Sequence, residues 1–321
     1  TMLKLCRYMG SRTAVDYVDD IVMAYCELLR RCEENQITWI QLDEPALVQD
    51  MDENDIKLFR RIYDEVLSCK KSCHVLLQTY FGDVRDIYRD LIGMPFDGIG
   101  LDFLEGKETM NLIEKYGFPQ DKLLFAGLVN GKNIWRNHYD RTLKTLEELK
   151  KKNISAVLST SCSLLHVPYT LKHEHSLSQD CLSHFAFAEE KLGELHELGI
   201  LAELDDYTSE KAYIDNQQLF TTKRDCENEQ VKQRLESVGG NDYIRLPKRS
   251  ERQSRQKMVF NLPEFPTTTI GSFPQTQDVK ANRSAYRRGD ISREEYIAFN
   301  KKKIAECVAW QEEIGLDVLV H

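Results

Sequence analysis

"HVLLQTYFGDVRDIYRDLIGMPFDGIGLDF", residues 74–103, holds the pattern that decides the fold. Its two ends, "HVLLQTY" (His74–Tyr80) and "DGIGLDF" (Asp97–Phe103), are short apolar runs of the length of a strand. They lack the polar alternation of a strand with one wet face, so they read as strands covered on both sides. Between them, Asp83–Leu91 reads as a short helix. Buried strands joined through helices imply a parallel sheet.

The same alternation extends outward. Upstream, Thr13–Asn35 carries Val15, Val18, Val22, Tyr25, Leu28 and Leu29 at helical spacing, Ile37–Leu42 reads as a buried strand, and Asp52–Ser68 as a helix. Downstream come a helix over Lys107–Tyr116, a strand over Lys122–Val129, a helix over Asp140–Lys152, a strand over Ile154–Thr160 and one long helix over Leu177–Leu201. No Gly-x-Gly-x-x-Gly follows a strand, which disfavours a dinucleotide-binding sheet. The fold class is α/β of the (β/α)8 TIM-barrel type, incomplete, because five strands are counted where a closed barrel needs eight. Either three strands are missing or the sheet is smaller and open.

From Asp205 to Asn261 charged and polar residues dominate, which reads as one or two exposed helices and a linker, with a break at Gly239-Gly240-Asn241. A second series then begins. Ile270–Phe273 reads as a short strand and turn, Asp278–Tyr286 and Ser292–Ile314 as helices, and Gly315–His321, "GLDVLVH", as a strand. This tail looks like the first βα step of another barrel, and the chain is expected to be a cut piece of a longer protein.

A formal charge of −9 argues against general binding to a phosphate backbone. The triplets Lys150–Lys152 and Lys301–Lys303 read as solvated helix faces. The sequence as it stands shows no signal-peptide pattern and no apolar run of bilayer length. The nine cysteines are scattered, so the expectation is reduced thiols in a cytosolic protein.

Unusual residues gather just after the strands, at the edge that is functional in a (β/α)8 barrel. Asp43 and Glu44 can bind a cation or orient an ammonium group, or else cap the next helix or pair with a buried base. Asn130-Gly131-Lys132-Asn133 offers a turn with a cation, suited to phosphate or carboxylate, or merely a backbone turn. Cys162 and His166 are spaced as zinc ligands can be, with His173 or His175 to complete a set, but two ligands do not make a site. A Cys162 nucleophile with His166 as base is no better supported. In Ile270-Gly271-Ser272, amide groups and the Ser272 hydroxyl can hold a small carboxylate, or form a plain turn.

Taken together, "WIQLDEPALV", "LLQTYFGDV", "GLVNGKNIWR", "STSCSLLHVP", "FPTTTIGSFPQT" and "GLDVLVH" resemble cobalamin-independent methionine synthase, in that family's order. The resemblance implies a double (β/α)8 barrel that transfers methyl from a 5-methyltetrahydrofolate polyglutamate to homocysteine. It implies zinc rather than cobalamin as the cofactor, with zinc holding the homocysteine sulfur as a thiolate. On this basis residues 1–205 are the latter part of an N-terminal barrel, 206–262 a helical connector, and 263–321 the opening of a catalytic barrel. Ile270, Gly271 and Ser272 match the segment that contacts the amino-acid part of homocysteine. The family's zinc ligands are expected beyond His321, so no cysteine here is assigned to metal. The resemblance further implies a cytoplasmic protein, monomeric at full length, without nucleic-acid or membrane partners. The alternative is a non-catalytic remnant that binds a partner.

Overall fold

The structure is a computed structural model that describes residues 1–221 and 228–320. The chain divides into two units, Thr1–Asp225 and Cys226–His321.

In the first unit a short helical turn, Met2–Leu5 (α1), precedes α2 (Val18–Glu34). Then follow β1 (Trp39–Asp43), α3 (Glu53–Ser68), β2 (His74–Gln78), α4 (Tyr88–Gly93), β3 (Gly98–Asp102), α5 (Thr109–Tyr116), β4 (Leu123–Val129), α6 (Tyr139–Lys151) and β5 (Ala156–Thr160). The five strands are parallel and lie in the order β1-β2-β3-β4-β5. Sequential order is that of a barrel wall, whereas a doubly wound sheet reverses direction partway.

The helix-side face of the sheet supplies Leu42, Val75, Leu77, Ile99, Leu101, Leu124 and Ala126, which pack with Leu29, Val66, Leu67 and Leu91. Leu77, Ile99 and Leu124 are fully buried, as the short apolar runs require. On the opposite face Gln78 lies across β3. A Cβ at Gly100 would sit 2.0 Å from its side-chain oxygen, so only glycine leaves room for it.

The caps are local. The Asp52 side chain accepts from the amides of Asn54 and Asp55 to start α3. At the other end of this helix Glu33, near the end of α2, accepts from the amides of Lys71, Ser72 and Cys73 at 2.7, 2.7 and 3.1 Å. Those three donors hold its carboxyl down at about 2.

Four expectations fail in this unit. The strand expected to be buried over Ile37–Leu42 runs over Trp39–Asp43 with only Leu42 buried, because β1 is an edge of the sheet. The helix expected over Asp83–Leu91 begins only at Tyr88, since the Asp83 carboxylate is taken up by Arg85 and by the Glu108 amide. Leu177–Leu201 is not one helix but α7 (Gln179–Ser183) and α8 (Ala188–Glu203), followed by α9 (Lys211–Thr221). The break occurs because His184–Ala186 leaves the helix to meet the β4–α6 connection: Arg136 N–H donates to His184 O at 2.9 Å and Ala186 N–H to Ile134 O at 2.7 Å. The reading of all nine cysteines as reduced thiols is also corrected. Cys26 on α2 and Cys69 at the C-cap of α3 form a disulfide, with Cα atoms 5.5 Å apart because the two helices lie side by side. Cys6, Cys32, Cys73, Cys162, Cys181 and Cys307 are free, and Cys226 lies outside the described residues.

The second unit contains α10 (Glu229–Glu236), α11 (Arg249–Phe260), α12 (Gln277–Arg288) and α13 (Arg293–Glu313). Gly239 and Gly240 begin a 3-10 turn inside it. Ser292 and Glu295 cap α13 reciprocally. The expected strands at Ile270–Phe273 and Gly315–His321 are absent over residues 270–273 and 315–320, and His321 lies outside the described residues. Asp317 N–H and Val318 N–H both donate to the same acceptor, Thr267 O, at 3.2 and 3.0 Å, so no ladder propagates.

Candidate functional site

In the first unit the loops after β2, β4 and β5 converge over the end of β3. Asp102 terminates β3 and is buried. Its carboxylate accepts from the amides of Phe81 at 3.0 Å, Leu104 at 2.8 Å and Glu105 at 2.9 Å. Burial pushes this carboxyl up, against the pull of those three amides. The contact with Phe81 matters because Phe81 has φ +72°, a left-handed conformation that a bulky side chain adopts only when its surroundings impose it.

So held, the Phe81 ring meets Tyr80 at 4.9 Å and His166 at 5.3 Å, and the Lys132 ammonium lies 5.1 Å from its centre. Lys132 is also paired with Glu105, at 2.7 and 2.9 Å to its two oxygens, and that hydrogen bond raises its pKa. The cation proposed for phosphate or carboxylate thus already has a counter-ion. The Asn130 side chain accepts from Lys132 N–H at 2.8 Å and Asn133 N–H at 2.9 Å, which closes the turn locally. Gly131 is required there, since a Cβ would fall 2.3 Å from Cys162 O.

The two adjacent carboxylates separate. Asp43 stays at the sheet edge, accepting from Gln41 at 2.8 Å and the Tyr80 hydroxyl at 3.3 Å. Burial, then Asp43, raises the Tyr80 phenol. Glu44 turns toward the helices and accepts from the Tyr63 hydroxyl at 2.6 Å. Neither side chain caps the following turn.

Cys162 is buried, and burial pushes its thiol up, away from the nucleophilic thiolate. His166 faces Phe81 rather than completing a ligand set. Among the described residues no three His, Cys, Asp or Glu side chains are placed to hold a metal ion, His173 and His175 included.

Sequence reasoning weighed Lys132 and His166 separately and missed Phe81 and Glu105, which bring them together. The only signal was an aromatic pair before a glycine, "TYFG", at a strand end.

In the second unit Ile270, Gly271 and Ser272 form an exposed turn. Gly271 has φ +82° and Ile270 is fully exposed. Thr269 Oγ1 donates to Gly271 O at 2.9 Å. Among the described residues nothing accepts a hydrogen bond from the three amides or the Ser272 hydroxyl, and all three residues are exposed. The root of the segment is fixed: the Asp317 carboxylate accepts from Thr267 N–H at 2.7 Å and Thr267 Oγ1 at 2.8 Å.

Two family models match the chain in order. "Cobalamin-independent synthase, N-terminal domain" matches residues 1–154, and "Cobalamin-independent synthase, Catalytic domain" matches residues 265–321. The 5-methyltetrahydropteroyltriglutamate–homocysteine methyltransferase of Lactococcus lactis subsp. lactis is 47% identical over 323 residues, covering 100% of this chain and 42% of that protein. The protein of the same name from Streptococcus pneumoniae serotype 4 is 48% identical over 321 residues, with the same coverage. The chain therefore spans less than half the length of these curated relatives. A solved structure described as a putative vitamin-B12 independent methionine synthase from Listeria monocytogenes aligns with TM-score 0.43 and 19% identity, over 59% of this chain and 55% of that one. That likeness is too slight to carry an argument. The sequence matches carry it: with both domain models met in chain order and relatives of one name aligned along all of it, the chain belongs to the cobalamin-independent methionine synthase family.

Proposed function

We propose that this chain is part of an enzyme that transfers the methyl group of 5-methyltetrahydropteroyltriglutamate to homocysteine, giving methionine. The observation that carries the reading is the alignment of all of this chain with 42% of relatives of that name, at 47–48% identity. Residues 1–205 are read as the latter part of an N-terminal barrel, 206–262 as a connector and 263–321 as the opening of the catalytic barrel. Ile270, Gly271 and Ser272 are read as the cradle for the amino-acid end of homocysteine. Their unpartnered amides and hydroxyl suit a carboxylate, which accepts several hydrogen bonds at once.

Zinc, in this reading, makes the homocysteine sulfur a thiolate at neutral pH. The described residues do not fit that role, because they bring no three ligating side chains together and keep Cys162 buried as a thiol. No step is therefore derived through the metal. What this chain contributes is substrate placement.

We read the full-length protein as a cytoplasmic monomer without nucleic-acid or membrane partners. The net charge of −9 argues against general binding to a phosphate backbone, and among the described residues no helix is long and apolar enough to cross a membrane. The Cys26–Cys69 bond pulls the other way, since disulfides are uncommon in reducing compartments.

The test is methionine formation from homocysteine and the triglutamate folate by the purified full-length protein carrying this sequence. Intact mass in the source cells accompanies it. A zinc-loaded full-length protein that forms no methionine would overturn the reading. So would a native mass near the 37.4 kDa of this chain.

A further inference from the structure

Asp317 holds Thr267 more closely than joining two loops requires. Its carboxylate takes both the amide and the hydroxyl of Thr267, at 2.7 and 2.8 Å. Its own N–H donates back to Thr267 Oγ1 at 3.1 Å and Thr267 O at 3.2 Å. One residue on, Val318 N–H donates to Thr267 O at 3.0 Å and Val318 O accepts from Thr268 Oγ1 at 3.1 Å. The two segments are 50 residues apart in sequence.

Asp317 is itself seated from both sides by one residue of α13. Gln311 is fully buried and its backbone O accepts from Leu316 N–H at 3.0 Å. Its side chain donates to Val320 O at 2.5 Å and accepts from Val320 N–H at 2.9 Å. The stretch carrying Asp317 is therefore pinned before and after it by a rigid helix end. Beyond Thr268 the facing segment next meets α13 at Phe273, whose ring lies 5.6 Å from that of Trp310, and the cradle between these two anchors is open. Ile270 is fully exposed, and a Cβ built at Gly271 would meet nothing within 4 Å.

We propose that Asp317 is a positioning residue for the Ile270–Ser272 cradle. It fixes the root of that segment against the end of α13, so that the open amides and the Ser272 hydroxyl point to one place when the amino acid arrives. Such pre-organisation removes an ordering cost from binding. The inference rests on reading Ile270–Ser272 as the homocysteine subsite.

The test uses the full-length protein carrying this sequence, with steady-state kinetics in each substrate and amide hydrogen exchange over residues 266–272. For Asp317→Ala the expectation is a homocysteine KM about tenfold higher, the loss of roughly one well-made charged hydrogen bond. kcat should stay within about twofold and the folate KM should not move, as for lost ground-state binding. Exchange at Thr267 should quicken. Asp317→Asn, which keeps an acceptor oxygen, should fall between. Should the alanine variant not fold, Thr267→Val carries the test, with a homocysteine KM about threefold higher expected from losing the hydroxyl alone.

An unchanged homocysteine KM in Asp317→Asn and Thr267→Val overturns the proposal, as does a fall in kcat with both KM values unmoved. Ser272→Ala separates the two readings. If it raises the homocysteine KM while the Asp317 and Thr267 variants do not, the positioning role fails and the cradle stands. If none of the variants moves it, the cradle reading fails and takes the proposal with it.

Discussion

The Cys26–Cys69 bond gives the sharpest test of the packing in the first unit. It closes a loop of 43 residues around β1, spanning all of α3. By the chain-entropy relation, such a cross-link withholds enough freedom from the unfolded chain to favour the folded one by about 4 kcal/mol. The double variant Cys26→Ser/Cys69→Ser removes the link and leaves the hydroxyls in half-buried positions. With a urea dependence of about 1–3 kcal/mol per molar, the midpoint should fall by at least about 1 M. Unfolding would be followed by circular dichroism, alongside a non-reducing peptide map of the parent. A parent whose map shows the joined Cys26–Cys69 peptides, with no shift in midpoint on removing them, would refute the entropy argument. A map with both thiols alkylated would refute the bond.

Three further outcomes are expected. Gly131→Ala places a Cβ 2.3 Å from Cys162 O, a backbone atom, so the ends of β4 and β5 must part; a loss of about 1–3 kcal/mol should appear in the same titration. Gln36 ends α2 with φ +59° and is exposed, so Gln36→Gly should raise stability by about 0.5–1 kcal/mol, read as a higher melting temperature. Burial raises the Asp97 carboxyl, but the Lys70 ammonium, the Val75 amide at 2.7 Å and the His74 ring at 3.1 Å outweigh it, and its pKa is lowered. A depressed carboxyl contributes stability above its unfolded pKa that is lost as pH falls through the folded one. Acid titrations of the parent should thus show a loss below the ordinary carboxylate range that is missing in Asp97→Asn.

The central strands β2, β3 and β4 were legible because each is a short run covered on both faces, where composition alone carries the signal, while the edge strands β1 and β5, with exposed residues such as Gln41 and Val157, were legible from their place in the alternation. "HVLLQ" and "LLFAGLV" could scarcely be anything else once helices flanked them. Harder to see was anything set by a distant partner. The break between α7 and α8 is caused by Ile134–Arg136, and the bond from Cys26 to Cys69 by two helices lying side by side. Lys191 and Glu194, within an ordinary-looking helical repeat, turn out fully buried beneath the β4–α6 connection. Lys191 donates to Trp135 O at 3.1 Å and Glu194 accepts from Asn137 N–H at 2.9 Å. At the sheet edge the candidate residues were visible singly, but their convergence depends on a left-handed Phe81 that no propensity favours. The turn at Ile270–Ser272 was visible from its glycine, while the strands expected around it fail because their neighbours pair at one point only.

The sequential strand order has a consequence for how this protein reaches its fold. Every ladder joins a strand to the next one made: Trp39 meets His74, Leu76 meets Gly98, Gly98 meets Leu123, and Leu124 meets Ala156. Among the described residues no strand waits for a partner from far along the chain, so each loop-closure cost is small when it is met. On the ribosome, where the N-terminal part emerges first, the wall can be laid one βα unit at a time in the direction of synthesis. Each new strand finds its template already in place, and the growing edge is covered almost as soon as it forms.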